Sequence, residues 1–478
     1  SAASLACAGE AIALVVAETP AQAKDAAELV AVDYEPLAAN VTLEGAAHAE
    51  TIWDAVPGNL VFDWGEGNEA GCNEAFAKAA KIVTVEVEQN RIAPNPMEPR
   101  GAIGLYDAVT DSYTLYTSTQ GPSTIRDRIA QSLLKIPPAK LRVVTNDVGG
   151  GFGMKASEIA EQALVLIYMS HVAPYIPTVG LRVMGGVYRV PAVYANVKGY
   201  VTNTTSITSY RGAGRPEAIY ITERLMDMAA AAFKMDRVEI RRRNLIANHE
   251  LPYKNWRGLS IDSGDFIVNL DEAARRGDWS GFAKRRAASE ARGKKRGQGI
   301  CYYFEASGGP GGQEPGKIRF AENGQVEIYL ATQSNGQGHE TAFAQIVSER
   351  LGVPFDSIVV KQGDTAYGLA GGGTVGSRSL QASGNALGLV SENIVKKGKV
   401  LQAGGAEVGF EIVEGTGTFR VAGTSRSITV LELAQVLKRE KVPGFEQGLD
   451  DAASFESPPT FPNVCHVCEV DLDPETGT

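Results

Sequence analysis

Cysteine is scarce in this chain, five residues in 478. That excludes a disulfide scaffold and fits a reducing compartment, with the cytoplasm as the default expectation. Histidine is equally sparse. His48, His171, His249, His339 and His466 are scattered and never paired at helical spacing, so no protein-built metal site is expected. Cys465 and Cys468 form a lone CxxC around His466, in a stretch whose Val464, Val467 and Val470 read as a buried strand, which makes both core cysteines rather than redox or metal ligands. No run approaches the roughly 18 apolar residues of a membrane span. Nor is there a basic excess: 46 Lys and Arg against 56 Asp and Glu give a net charge of −10, which argues against a nucleic-acid or anionic-membrane partner. The short run Arg241, Arg242, Arg243 reads as a solvated or ion-paired helix face. Nothing after Ser1 has the charged and apolar regions of a targeting signal.

Glycine is abundant, 53 of 478 residues where roughly 7% is ordinary, without collagen-like or linker-like spacing, so it serves the backbone of loops. The length predicts two or three domains. The opening reads strand, helix, strand: apolar Ala11 to Ala17, a helix start at Thr19 and Pro20, and an extended Val30 to Tyr34. The pattern then weakens from Ala47 to Trp64. The expected fold is α+β and multi-domain: a partial N-terminal α/β domain over 1–50, a second domain over 70–274, a polar helical linker over 275–295, and a third domain over 296–478.

Three glycine loops sit between strands and helices. An extended Leu141 to Val148 leads into Gly149, Gly150, Gly151, Phe152 and Gly153, followed by a helix with Ile159, Ala163 and Leu166 on one face. A hairpin turning at Asn323 and Gly324 leads through Leu330 to Gly336, Gln337, Gly338 and His339, then to a helix stopped by Gly352. A strand from Ile358 to Lys361 precedes the third loop, Gly363 to Gly376, whose helix begins near Ser379. Bare amides at a helix N-terminus suit phosphate, and three such loops imply a large, multiply charged ligand. The common nucleotide motifs fail. In the first loop Met154 stands where a Walker A lysine belongs, and the spacing does not fit GxGxxG. Any metal would arrive inside a cofactor.

Taken in order, GGGFGMK (Gly149 to Lys155), YRGAGRPEA (Tyr210 to Ala218), GQGH (Gly336 to His339) and GSRS (Gly376 to Ser379) resemble the large subunit of the molybdenum hydroxylase family. That family contains xanthine dehydrogenase, aldehyde oxidase and aerobic carbon monoxide dehydrogenase, and the likeness is to the carbon monoxide dehydrogenase-like group. PNPMEPRGA (Pro94 to Ala102), STQGP (Ser118 to Pro122) and GEAIALVVAET (Gly9 to Thr19) support it. The resemblance implies a hammerhead-like N-terminal domain and a molybdenum–molybdopterin cofactor in its cytosine dinucleotide form. It implies hydroxylation of an aldehyde or N-heterocyclic aromatic with oxygen from water. Electrons would pass to a small iron–sulfur subunit and a medium FAD-binding subunit, in a dimer of heterotrimers.

Carried over residue by residue, the resemblance places Gln120, Phe152 and Arg211 at the reacting centre, Phe152 also walling the substrate pocket. It assigns cofactor contacts to Gln120, Gly149, Gly150, Gly151, Phe152, Gly153, Arg211, Gly212, Gly336, Gln337, Gly338, His339, Ser377, Arg378 and Ser379. On the residues alone, Arg211 and Arg215 would instead cap a strand and pair with Glu217 or Glu223, and Glu98 with Arg100 would form a structural ion pair. The family's catalytic glutamate, in a GxGE-type segment, is expected beyond Thr478, and a block of strands is expected near Met169 and Ser170; both make the chain read as incomplete. Gly212 and Ala213 stand where carbon monoxide dehydrogenase carries a cysteine, which argues against copper-assisted CO oxidation. CO oxidation and a non-catalytic cofactor-binding or assembly module are the alternatives.

Overall fold

The computed structural model describes residues 12–156, 175–204, 207, 209–308, 312–403, 406–440 and 442–478. The expected helix carrying Ile159, Ala163 and Leu166, and the junction at Met169 and Ser170, lie outside them. Helices and sheets are mixed throughout, as the α+β expectation requires. The chain forms two compact units: Ser1–Ile92, Ser170–Glu305 and Phe461–Thr478 make the first, Ala93–Met169 and Ala306–Thr460 the second.

In the first unit, Pro20–Glu28 is a helix because Thr19 caps it: its hydroxyl accepts from Gln22 and its amide donates to the Gln22 side chain. The flanking stretches differ from expectation. Residues 12–17 and 30–34 pair with no strand among the described residues, and Leu14, Val16 and Leu29 stay exposed, since this segment has no apolar face to rest on. Leu60–Gly67 pairs antiparallel with Tyr194–Tyr200, and Lys295–Phe304 with Asn463–Leu472. The helices Arg215–Phe233, Arg237–Asn244 and Phe266–Arg276 contribute buried Ile219, Ile240 and Leu270. The stretch read as one surface helix is two. It breaks at Gly277 and left-handed Asp278, and Phe282–Glu290 follows.

The run Arg241 to Arg243 is ion-paired, as its composition suggested. Arg241 is fully buried against Glu223 and Asp227, while Arg242 and Arg243 reach Glu239 on the surface. Cys465 is also buried, its thiol pushed up to about 12, chiefly by burial. Cys468 corrects the core reading. A strand alternates its faces, so residues three apart point oppositely; Cys468 is exposed, and so are Val464 and Val470.

Two of the second unit's sheets are built to one plan. Gln313–Phe320 and Val326–Leu330 form a hairpin, Ile358–Lys361 lies parallel to the latter, and Asp451–Glu456 covers the other edge. Helices His339–Leu351 and Ser379–Ala403 pack on it, and the core is Ile318, Ile328, Phe343, Val347, Leu387 and Phe419, all buried. Each such side chain contributes on the order of 1.5–3 kcal/mol on burial. The second sheet repeats the order: Ala102–Asp107 and Ser112–Thr117 form a hairpin, and Leu141–Val144 lies parallel to the latter, over Leu115, Ile125 and Val143. In both, Thr-Gln stands one residue past the hairpin's second strand, a helix follows, and the parallel strand runs out toward three consecutive glycines.

Candidate functional site

Gln120 is the hub of the second unit's loops, and it is 6% exposed. Its Oε1 accepts from the Gly153 amide at 3.0 Å and its Nε2 donates to the Thr374 carbonyl at 3.0 Å. Its own backbone donates to Lys155 and accepts from Thr374 at 2.9 and 2.8 Å. The first glycine loop is thereby fastened to the third. The third is fastened to the second: Thr374 Oγ1 donates to the Gln333 carbonyl at 2.7 Å, and the same carbonyl accepts from Gln337 Nε2 at 3.4 Å. The structure therefore brings Gln120, Gly149 to Gly153, Gly336 to His339 and Ser377 to Ser379 into one unit.

These glycines do different work. An added Cβ on Gly149 would meet Glu98 Cβ at 2.5 Å, and one on Gly371 would meet Glu314 Oε2 at 2.4 Å. Gly150 lies under the Phe152 ring, 2.7 Å from a Cβ position. By contrast, Gly336 and Gly338 have left-handed φ of 90° and 75° and nothing within 4 Å of an added Cβ. Phe152 is 44% exposed and also left-handed, φ 51°. A bulky residue in that region is strained, and its ring lies over Gly150.

Two buried cations underlie the loops. Lys155 is fully buried, with Nζ 2.9 Å from Glu98 Oε2, and that carboxylate accepts from the Gly149 amide at 2.5 Å. Burial raises the Glu98 carboxyl, but Lys155 and the amide outweigh it and hold it below the usual range. Arg378 pairs with fully buried Glu314, which accepts from the Gly372 amide at 2.6 Å. Arg378 Nε is buried without a hydrogen-bond partner among the described residues, and Ser377 is left-handed with φ 54° just before the helix that Ser379 starts. The Glu98 side of the first loop borders a pocket of about 270 Å³ lined by Tyr116, Asn146 and Asp147 among others, below the roughly 300–1,000 Å³ usual for ligand sites.

His339 begins its helix and is 3% exposed. Nε2 lies 2.9 Å from Gln337 Nε2, and Nδ1 2.9 Å from Gln362 Oε1. Only a neutral ring with its proton on Nδ1 satisfies both, and burial lowers its pKa accordingly. Gly338, the residue before this 13-residue helix, supplies no side-chain cap, so the helix N-terminus retains donors beside two open glycines. That donor set fits the phosphate and pterin edges of a molybdopterin.

Arg211 and Gly212 belong to the first unit. Gly212, Ala213 and Gly214 have φ of 102°, 48° and 91°, a turn closed by the Ala213 amide on the Tyr210 carbonyl at 2.6 Å. Arg211 is exposed at its start. Arg215 lies 2.8 Å from Glu305, and Glu223 pairs with Arg241, so the alternative pairing of Arg215 with Glu217 or Glu223 is replaced. Sequence reasoning also passed over Lys155, Glu314, Thr374 and Gln333. The repeated Thr-Gln before each glycine triplet was the available signal.

Two family models, each described as a molybdopterin cofactor-binding domain, match residues 52–173 with 167–245 and residues 272–478. The chain belongs to the molybdenum hydroxylase family. It is a molybdopterin-binding large-subunit chain of these oxidoreductases. It is 28% identical to the carbon monoxide dehydrogenase large chain of Hydrogenophaga pseudoflava, over 98% of this chain and 69% of the relative. It is 28% identical to the nicotine 6-hydroxylase large subunit of Paenarthrobacter nicotinovorans, over 98% of this chain and 66% of the relative. The crystal structure of quinoline 2-oxidoreductase from Pseudomonas putida 86 superposes with a TM-score of 0.82 at 26% identity, covering 97% of this chain and 68% of that one. This chain thus spans about two thirds of these proteins' lengths. Among the described residues, no helix is long and apolar enough to cross a membrane.

Proposed function

We propose that this chain holds a molybdenum–molybdopterin in its cytosine dinucleotide form and serves the hydroxylation of an N-heterocyclic aromatic or an aldehyde. When bound, the cofactor supplies the two-electron chemistry and the oxygen-transfer centre. The observation that carries the reading is the fastening of three glycine loops around Gln120 beside the uncapped helix at His339. Gln120 would approach the metal's ligands through the hydrogen-bonding capacity its protein partners leave. The amides of Gly151 and Phe152, with Gly336, Gln337 and Gly338, would face the pterin and phosphates, and Ser377 and Ser379 would flank them. Arg211 and Gly212 are proposed as cofactor contacts on the resemblance alone. Phe152 would offer its exposed ring as a flat wall against an aromatic substrate, and on this point the relatives named for nicotine and quinoline favour a heterocycle.

Electrons would leave through iron–sulfur and FAD-binding partner subunits, in a cytoplasmic dimer of heterotrimers. The test is to purify the natural complex, measure its molybdenum and pterin, and incubate it with quinoline-like heterocycles, aldehydes and CO in ¹⁸O-labelled water. The reading expects molybdenum and labelled hydroxylated product. Absence of molybdenum, or turnover of CO alone, would overturn it.

A further inference from the structure

The first and third glycine loops are braced in the same way by residues that share no sequence motif. A carboxylate from the lead-in or first strand of a hairpin accepts from an amide of the glycine triplet, Glu98 from Gly149 at 2.5 Å and Glu314 from Gly372 at 2.6 Å. A buried cation four or five residues past the triplet neutralises it: Lys155 is fully buried and Arg378 is 4% exposed. In each case a triplet glycine has no room for a Cβ because the carboxylate side chain occupies it. Two independent hairpins thus arrive at one arrangement of carboxylate, cation and glycine amide.

We propose that Glu98 and Glu314 are positioning residues for the cofactor: each fixes the first part of a glycine triplet by its amide, so that the following amides turn outward. Lys155 and Arg378 pair with the carboxylates and hold them in place. In the first loop the hydrogen-bond partners agree with this. Gly149 and Gly153 donate to Glu98 and Gln120, Gly150 donates to the Val148 carbonyl at 2.8 Å, and the amides of Gly151 and Phe152 donate to no group among the described residues. Those are the two donors left for a ligand. A charge-assisted acceptor is the fitting device, because it is shorter and stronger than a neutral one and costs the loop no further residues.

The inference rests on the reading that these loops hold molybdopterin, and the experiment separates the two. In the natural complex, Glu98→Gln with Lys155→Met keeps an acceptor for the Gly149 amide and leaves no uncompensated charge. Glu98→Leu with Lys155→Met removes the acceptor at similar volume. Both pairs discard the ion pair, so a merely structural salt bridge would be lost equally in each. Molybdenum and pterin per chain are measured beside the melting temperature. Expected is near-natural cofactor content in the Gln/Met pair and a loss of roughly tenfold or more in the Leu/Met pair, the scale of leaving one buried amide without its acceptor, at matched melting temperatures. Equal content in the two pairs, high or low, overturns the positioning role. No molybdenum in the natural complex overturns the functional reading instead.

Discussion

Gly151 is a glycine because of Gln120. Its φ is not left-handed, so no dihedral restriction applies, but a Cβ there would meet Gln120 Cδ at 2.6 Å. The loop's spacing could not reveal which buried side chain lies against it. Gly151→Val should therefore displace Gln120, release Gly153 and Thr374, and lower the molybdenum content of the purified complex severalfold. Phe152→Ala should act oppositely. The ring is exposed and bonds to nothing in the loop, so cofactor content should stay near natural while KM for an aromatic substrate rises or its preference shifts; equal molybdenum loss in both variants would remove Phe152 from the pocket. Cys468 marks the limit of residue-level reading: alternation showed a strand, but which face was covered depends on partners distant in sequence.

Helices and strands around the loops were legible because their signals are local. Gly352 ends the helix His339–Leu351 with φ 60°, and the strand Ile358–Lys361 lies where the apolar run placed it. The ion-paired helix Arg237–Asn244 was legible as a face, but the partners of Arg241 were not, since Glu223 and Asp227 come from another helix. Burial works against the Arg241 charge and is outweighed by Glu223, Tyr188 and Asp227, so it stays ionised, while burial raises the Glu223 carboxyl despite that pairing. Arg241→Met should cost about 3–5 kcal/mol by leaving Glu223 uncompensated, whereas Arg243→Ala on the surface should cost about 0–1 kcal/mol. Urea unfolding of the two variants distinguishes them, and equal small losses would show that Glu223 is neutral when folded. At the head of the 339–351 helix, His339 gives a pH signature. Its folded pKa lies below the ordinary value of about 6.5, so the unfolded chain takes up the proton first. Its contribution is full above about 6.5 and is lost as pH falls through that value toward the folded pKa. His339→Gln should flatten that acid-side decline in the urea midpoint; an unchanged slope would assign the decline to other groups.

Across the whole molecule the cysteines decide where electrons can go. An iron–sulfur cluster needs several thiolates converging on one point. Cys72 lies on the helix Glu69–Lys78, and Cys301 stands across from His466 in the strand pair that carries Cys465 and Cys468. Cys465 is buried on one face of that pair and Cys468 exposed on the other, and burial pushes the thiols of Cys301 and Cys465 up to about 12, away from the thiolate form a cluster requires. No group of three His, Cys, Asp or Glu side chains among the described residues could hold a metal ion. On the proposed function the redox centre is the pterin-bound metal, with onward transfer on other polypeptides. Separated from its natural complex, the chain should retain molybdenum, contain negligible iron and lack the visible absorbance of iron–sulfur clusters. Replacing Cys465 with Ala and Cys468 with Ser should leave electron transfer in the complex unchanged, with at most a modest fall in stability from the cavity at Cys465. Stoichiometric iron in the isolated chain, or loss of electron transfer in that double variant, would show that these cysteines carry a cluster.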